Sequence, residues 1–176
     1  MEARTGRALM VNLKPHPGTP SPWIDELEVE FERDGLLLWL RFTAVGDPSA
    51  IVWPGEAGQG RADDLWRHTC FEAFTATDEG YVEFNLSPSG QWASYRFDGP
   101  RAGMRMADEV ATVLGMDGAF DQMALEARIE LPLGATRLAL SAVIEDVDGA
   151  ISYWALAHPS AKPDFHHPDS FVLDLP

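Results

Sequence analysis

Tyr81, Glu83, Asn85, Trp92, Ser94 and Arg96 are the residues whose types and spacing most plainly suit ligand chemistry. They fall in two runs, Tyr81 to Leu86 and Gln91 to Phe97, joined by Ser87-Pro88-Ser89-Gly90, with Pro and Gly placed where a tight turn wants them. With those four residues as the loop, Asn85 is expected opposite Trp92, Glu83 opposite Ser94 and Tyr81 opposite Arg96, all on one face. Flat apolar rings would then lie beside a carboxylate, an amide and a guanidinium. Sugars present apolar C–H faces edged by hydroxyls, so their recognition needs ring stacking with a few fixed hydrogen bonds. The opposite face, with Val82, Phe84, Leu86, Ala93, Tyr95 and Phe97, reads as core.

The preceding run, Arg67 to Thr75, extends that polar face if its loop spans Ala76 to Glu79. His68, Cys70, Glu72 and Phe74 then join it, and Glu72 stands opposite Glu83; a loop one residue longer turns Glu72 and Phe74 to the core. A facing glutamate pair is either relieved by Arg96 or leaves one member with a raised pKa. The Arg-bridged structural pair is the preferred reading. The alternative is a glycosidase-like enzyme using Glu72 and Glu83, since glycosidic cleavage takes two carboxyls about 5 to 9.5 Å apart. Toward the C-terminus, HPSAKPDFHHPDS gathers His158, His166 and His167 with Asp164 and Asp169. His158 with one neighbouring His and an Asp could share a metal. The expectation is instead a proline-stiffened loop rimming a cleft, with Phe165 packed beneath, His166 or His167 hydrogen-bonded at its mouth, and no metal. Cys70 and His68 share a strand face without forming a dyad, so Cys70 is expected to be a small sheet thiol.

These groups need strands to hold them. Leu27, Val29 and Phe31 alternate with Glu26, Glu28, Glu30 and Glu32, and beyond Arg33-Asp34-Gly35 the alternation resumes with Leu36, Leu38, Leu40 and Phe42, which predicts a hairpin. Met123 to Leu131, Leu138 to Ile144 and Ile151 to Leu156 repeat the pattern, while Ala107 to Leu114 fits a short helix or an edge strand equally. Short strands with turn punctuation predict an all-β protein, an antiparallel β-sandwich or jelly roll. A length of 176 residues suits one domain over 23–176, with 1–22 as an N-terminal arm or edge strand. A net charge of −15 and a pI near 4.5 argue against nucleic acid and membrane surfaces as partners. A single cysteine and no apolar run of signal-peptide length lead to the expectation of a soluble cytoplasmic protein, with the periplasm left open.

LWRHTCFEAF at 65–74, GYVEFNLSPSGQWASYRF at 80–97, SYWALAHP at 152–159 and PDFHHPDSFVLDL at 163–175 together resemble a bacterial DOMON-like domain protein, of a group related to the family 9 carbohydrate-binding modules. The resemblance runs from about Trp23 onward. It implies a jelly-roll β-sandwich that binds sugar or haem in a cleft on one sheet. In sugar-binding relatives tryptophans clamp the saccharide while a Glu, an Arg and amides hold its hydroxyls. Trp66 and Glu72 match one such Trp and Glu, Asn85 and Arg96 match the hydrogen-bonding strands, and Trp154 or Phe165 stands where a second clamp belongs. Haem-binding relatives use Met or His, for which Met104, Met106, His158, His166 and His167 are available, although no Cys-x-x-Cys-His occurs. The expectation is therefore a non-catalytic domain without a cofactor. It would bind a carbohydrate or sugar-containing metabolite through Trp66, Glu72, Glu83, Asn85, Trp92, Arg96, Trp154 and His166, with room for a protein partner. A haem-binding electron-transfer domain is the alternative from another class.

Overall fold

The period-two runs fold as antiparallel strands, and the apolar half of each alternation fills the space between two sheets. The computed structural model describes residues 6–175, so the first five residues of the 1–22 arm lie outside the described residues. One sheet holds β1 (Leu9–Pro15), β2 (Ile24–Asp34), β3 (Leu37–Gly46), β8 (Ala111–Ala119) and β9 (Gln122–Glu130), in the order β1-β2-β3-β9-β8. The other holds β4 (Cys70–Thr77), β5 (Gly80–Leu86), β6 (Trp92–Phe97), β7 (Arg105–Met106), β10 (Arg137–Glu145) and β11 (Ile151–Ala155), in the order β7-β6-β5-β4-β10-β11. A short β12 (Leu173–Asp174) pairs with the start of β10. The arm contributes an internal strand: β1 pairs with β2 through Leu9 to Leu13 and with β11 through Lys14 and Pro15, so it ties the two sheets together. The segment that suited helix or strand is a strand, β8, at the outer end of its sheet. No described helix is long and apolar enough to cross a membrane.

Val29, Leu38 and Phe42 of the first sheet share one buried cluster with Phe71, Phe84, Leu140 and Trp154 of the second. The Phe42 and Phe71 rings meet across the layers at 5.0 Å. Each such side chain contributes roughly 1.5–3 kcal/mol by leaving water, which makes the all-β sandwich the natural home of this alternation.

Two registers differ from expectation. Thr77 pairs with Gly80 across a two-residue turn, Asp78-Glu79, so Glu72 stands opposite Asn85 and Glu83 opposite Phe74. The shift from the expected pairing is two residues, which leaves Glu72 and Phe74 on the face of Tyr81, Glu83 and Asn85. The β5–β6 connection is one residue shorter than expected. The Ser87 N–H donates to the Gln91 carbonyl at 2.9 Å, and Gly90 takes φ +94° inside the turn. Leu86 therefore pairs with Trp92, Asn85 with Ala93 and Glu83 with Tyr95. A one-residue shift exchanges the faces of β6, carrying Trp92 and Arg96 to the inner side and Tyr95 and Phe97 to the outer one.

Candidate functional site

The outer face of the second sheet carries Glu72 and Phe74 from β4, Tyr81, Glu83 and Asn85 from β5, Tyr95 and Phe97 from β6, Val143 from β10 and Tyr153 from β11. Two loops, around 98–104 and 160–171, fold over part of this face. They enclose a cavity of about 670 Å³, walled by Trp66, Tyr95, Phe97, Tyr153 and Phe165 and bearing Glu72, Glu83, Asn85 and His166. Asp64, Arg101, Met104 and Lys162 also line it.

One network stitches the loops to the sheet. The Arg101 N–H donates to the Tyr81 hydroxyl at 3.2 Å, and that hydroxyl lies 2.6 Å from His166 Nδ1. The other ring nitrogen, Nε2, lies 3.6 Å from Glu83 Oε2. Asp164 Oδ1 accepts from the His166 N–H at 3.1 Å and from the Arg101 guanidinium at 3.2 Å. Arg101 holds this place with φ +56°, a left-handed conformation uncommon for a side-chain-bearing residue. Beneath the network, Tyr81 stacks on Phe97 at 5.0 Å, and Phe74 and Phe97 meet the His166 ring edge-on.

The polar groups on the cavity floor are buried: Glu72 is 3% exposed, Glu83 7% and Asn85 1%. Burial first, and then the charge of Glu83, push the Glu72 carboxyl well above the ordinary carboxylate range; the Ser141 hydroxyl, donating to Oε2 at 3.1 Å, only partly offsets this. Burial likewise raises Glu83 to about 7 against the pull of the Asn85 amide and the Arg101 charge. His166 moves the other way, to about 4, through burial and then the Arg101 charge, so its imidazole is neutral. Tyr95 donates to Asp63 at 2.5 Å, and burial and then Asp63 raise its phenol. The Asn85 Oδ1 atom is buried and has no hydrogen-bond partner. An orphaned buried acceptor typically costs about 1–3 kcal/mol, so a site holding one lacks a donor.

Trp66, Glu72, Glu83, Asn85 and His166 are thus brought to one cavity, with Trp66 half-exposed at its rim in a short 3₁₀ turn. Trp92, Arg96 and Trp154 are not. Trp92 packs into the core with the Arg61 guanidinium 4.4 Å from its ring centre. Arg96 pairs with Glu109 instead of bridging the glutamates. Trp154 is buried opposite Ala142, its indole N–H donating to Ser152 Oγ at 2.9 Å. Tyr95, Phe97 and Tyr153 take the wall positions that Trp92 and Trp154 were expected to fill. Strand parity held the signal for Tyr153, because Trp154 keeps step with the core-facing alternation of β10, Ala142 and Ile144. Lys162, Arg101 and Met104 come from loops that carry no period.

The C-terminal histidines separate. His158 donates to the Lys14 carbonyl, His166 faces Tyr81 and Glu83, and His167 accepts from the Asp169 N–H. Among the described residues, no group of three or more His, Cys, Asp or Glu is arranged to hold a metal ion. Of the candidate haem ligands, Met104 and His166 line the cavity, and Nδ1 of His166 is engaged by the Tyr81 hydroxyl. Cys70 is a buried sheet thiol whose Sγ–H points to the Phe71 carbonyl, as expected.

No family model and no curated protein matches the chain. Among solved structures it is similar to a protein from Bacteroides uniformis that is described only as a candidate carbohydrate-binding protein. The two share 16% identity and a TM-score of 0.55 over 93% of this chain and 84% of the other. That likeness places the chain within an all-β, sandwich-like fold.

Proposed function

We propose that the chain is a non-catalytic binding domain of the DOMON-like kind, related to family 9 carbohydrate-binding modules, and that it takes a saccharide or sugar-containing metabolite in this cavity. The observation that carries the reading is Asn85 Oδ1, a buried acceptor without a partner, set among aromatic rings that suit the C–H face of a sugar. A ligand hydroxyl or N–H would complete it. The description of the Bacteroides uniformis protein supports the same class of ligand.

A second reading, a glycosidase using Glu72 and Glu83, has one observation in its favour: both carboxyls line the same cavity and both are held above their ordinary range. Their burial disfavours it, since each would have to reach a glycosidic oxygen or anomeric carbon.

Calorimetry against a saccharide panel separates the readings. Wild type binds at least one sugar without turning over activated aryl glycosides. Asn85→Leu loses that binding in a variant that still unfolds cooperatively. Turnover abolished by Glu72→Gln would establish the enzyme instead, and a folded wild type that binds no sugar would remove the carbohydrate reading.

A further inference from the structure

The cavity floor is rich in acceptors, and the acid proton that burial retains on Glu72 is one that a bound cation would displace. Asn85 Oδ1 has no partner, Glu72 has the Ser141 hydroxyl, and Glu83 faces the neutral imidazole of His166 at 3.6 Å. Among the described residues, no lysine or arginine makes an ion pair with either glutamate. Arg101, the cation whose charge reaches Glu83, is committed to Asp164 at 3.2 Å. Lys162 sits exposed on the loop at the rim.

Hydrogen-bond inventory decides what such a floor receives. A hydroxyl brings one donor and two acceptor lone pairs, so over this floor its lone pairs meet further acceptors. A protonated primary amine brings three donors and no acceptor, together with the positive charge that two buried carboxyls lack. The aromatic walls add to the match, since Trp and Tyr faces attract a cation.

Resting on the saccharide reading above, we propose that the sugar taken by this cavity carries a protonated amine, whose N–H groups are received by Asn85 Oδ1, Glu72 and Glu83. The raised carboxyls agree with this, because burial holds up both and the charge of Glu83 adds to Glu72, and a bound cation would relieve each. The net charge of −15 favours the approach of such a ligand.

Calorimetry on the full chain at pH 7.5 tests it with glucosamine, galactosamine and mannosamine, each beside its neutral parent and its N-acetyl derivative. At least one amine should bind roughly tenfold or more tightly than both neutral counterparts, the ratio a charge-assisted hydrogen bond supplies. Glu83→Gln should return that ratio toward one; Glu72→Gln serves if that variant does not fold. Sugars that bind with no advantage for any amine would overturn the inference and leave the saccharide reading standing. No sugar bound, but benzylammonium preferred over benzyl alcohol, would sink the saccharide reading and keep the ammonium site. Absence of both would end both.

Discussion

Glu72 and Glu83 are held in the protonated direction by the fold, so they resist it as pH rises. The unfolded chain releases a glutamate proton near pH 4.3, whereas native Glu83 keeps it to about 7 and Glu72 is raised in the same sense. Between those limits the native state binds more protons than the unfolded state, so each carboxyl lowers stability as pH rises, by at most about 1.4 kcal/mol per unit. His166 acts oppositely. Its native value of about 4 lies below the unfolded 6.5, so its neutral burial favours the fold above 6.5 and is lost as pH falls toward 4. Below about 6.5 the two trends oppose each other, and above it only the glutamates act. Thermal melts should therefore show Glu83→Gln more stable than wild type at pH 8, with the gap closing toward pH 5. A gap that is absent or reversed at pH 8 would contradict the burial account. Tyr81→Phe removes the hydroxyl that links Arg101 to His166, and it should cost about 1–3 kcal/mol in chemical denaturation.

Strand β6 shows how a turn decides what a residue does. Trp92 sits in the core, so Trp92→Ala should cost about 3–5 kcal/mol and spare ligand binding in any variant that folds. Trp66→Ala should change stability by no more than about 0.5 kcal/mol and weaken binding. Denaturation paired with calorimetry reads both, and an exchange of those outcomes would return Trp92 to the site. Gly80 closes the β4–β5 turn at φ +127°, and a Cβ there would stand 2.0 Å from the Phe97 carbonyl oxygen. Gly80→Ala should therefore lose more than about 1 kcal/mol in the same melts. The strands themselves were legible, because Leu27, Val29, Phe31 and Leu38, Leu40, Phe42 alternate without interruption. The faces of β4 and β5 were legible too, since a two-residue slip preserves parity. The face of β6 was not: Pro88-Ser89-Gly90 closes as readily as a four-residue turn, and only the Ser87–Gln91 hydrogen bond decides between them.

On the scale of the whole molecule, the sandwich gives its inner faces to the core and leaves one outer face to be covered by loops alone. Those loops meet the sheet through Phe171, Phe165 and the Tyr81–His166–Arg101 network, which leaves space above Asn85 instead of a second packed layer. Alternation reveals which residues face outward, but not which loop folds over them; Arg101 and Lys162 therefore had no signature in the sequence, and Met104 was reached only through the resemblance. The central claim is that this loop-covered hollow is where the ligand sits. An amide and aromatic NMR titration with the tightest-binding saccharide tests it most directly. Shifts should concentrate on the Asn85 side-chain amide, Trp66, Tyr95, Tyr153 and Phe165, with Trp92 and Trp154 unmoved. Shifts centred on Trp92, Arg96 or the β8–β9 sheet, with Asn85 silent, would contradict it.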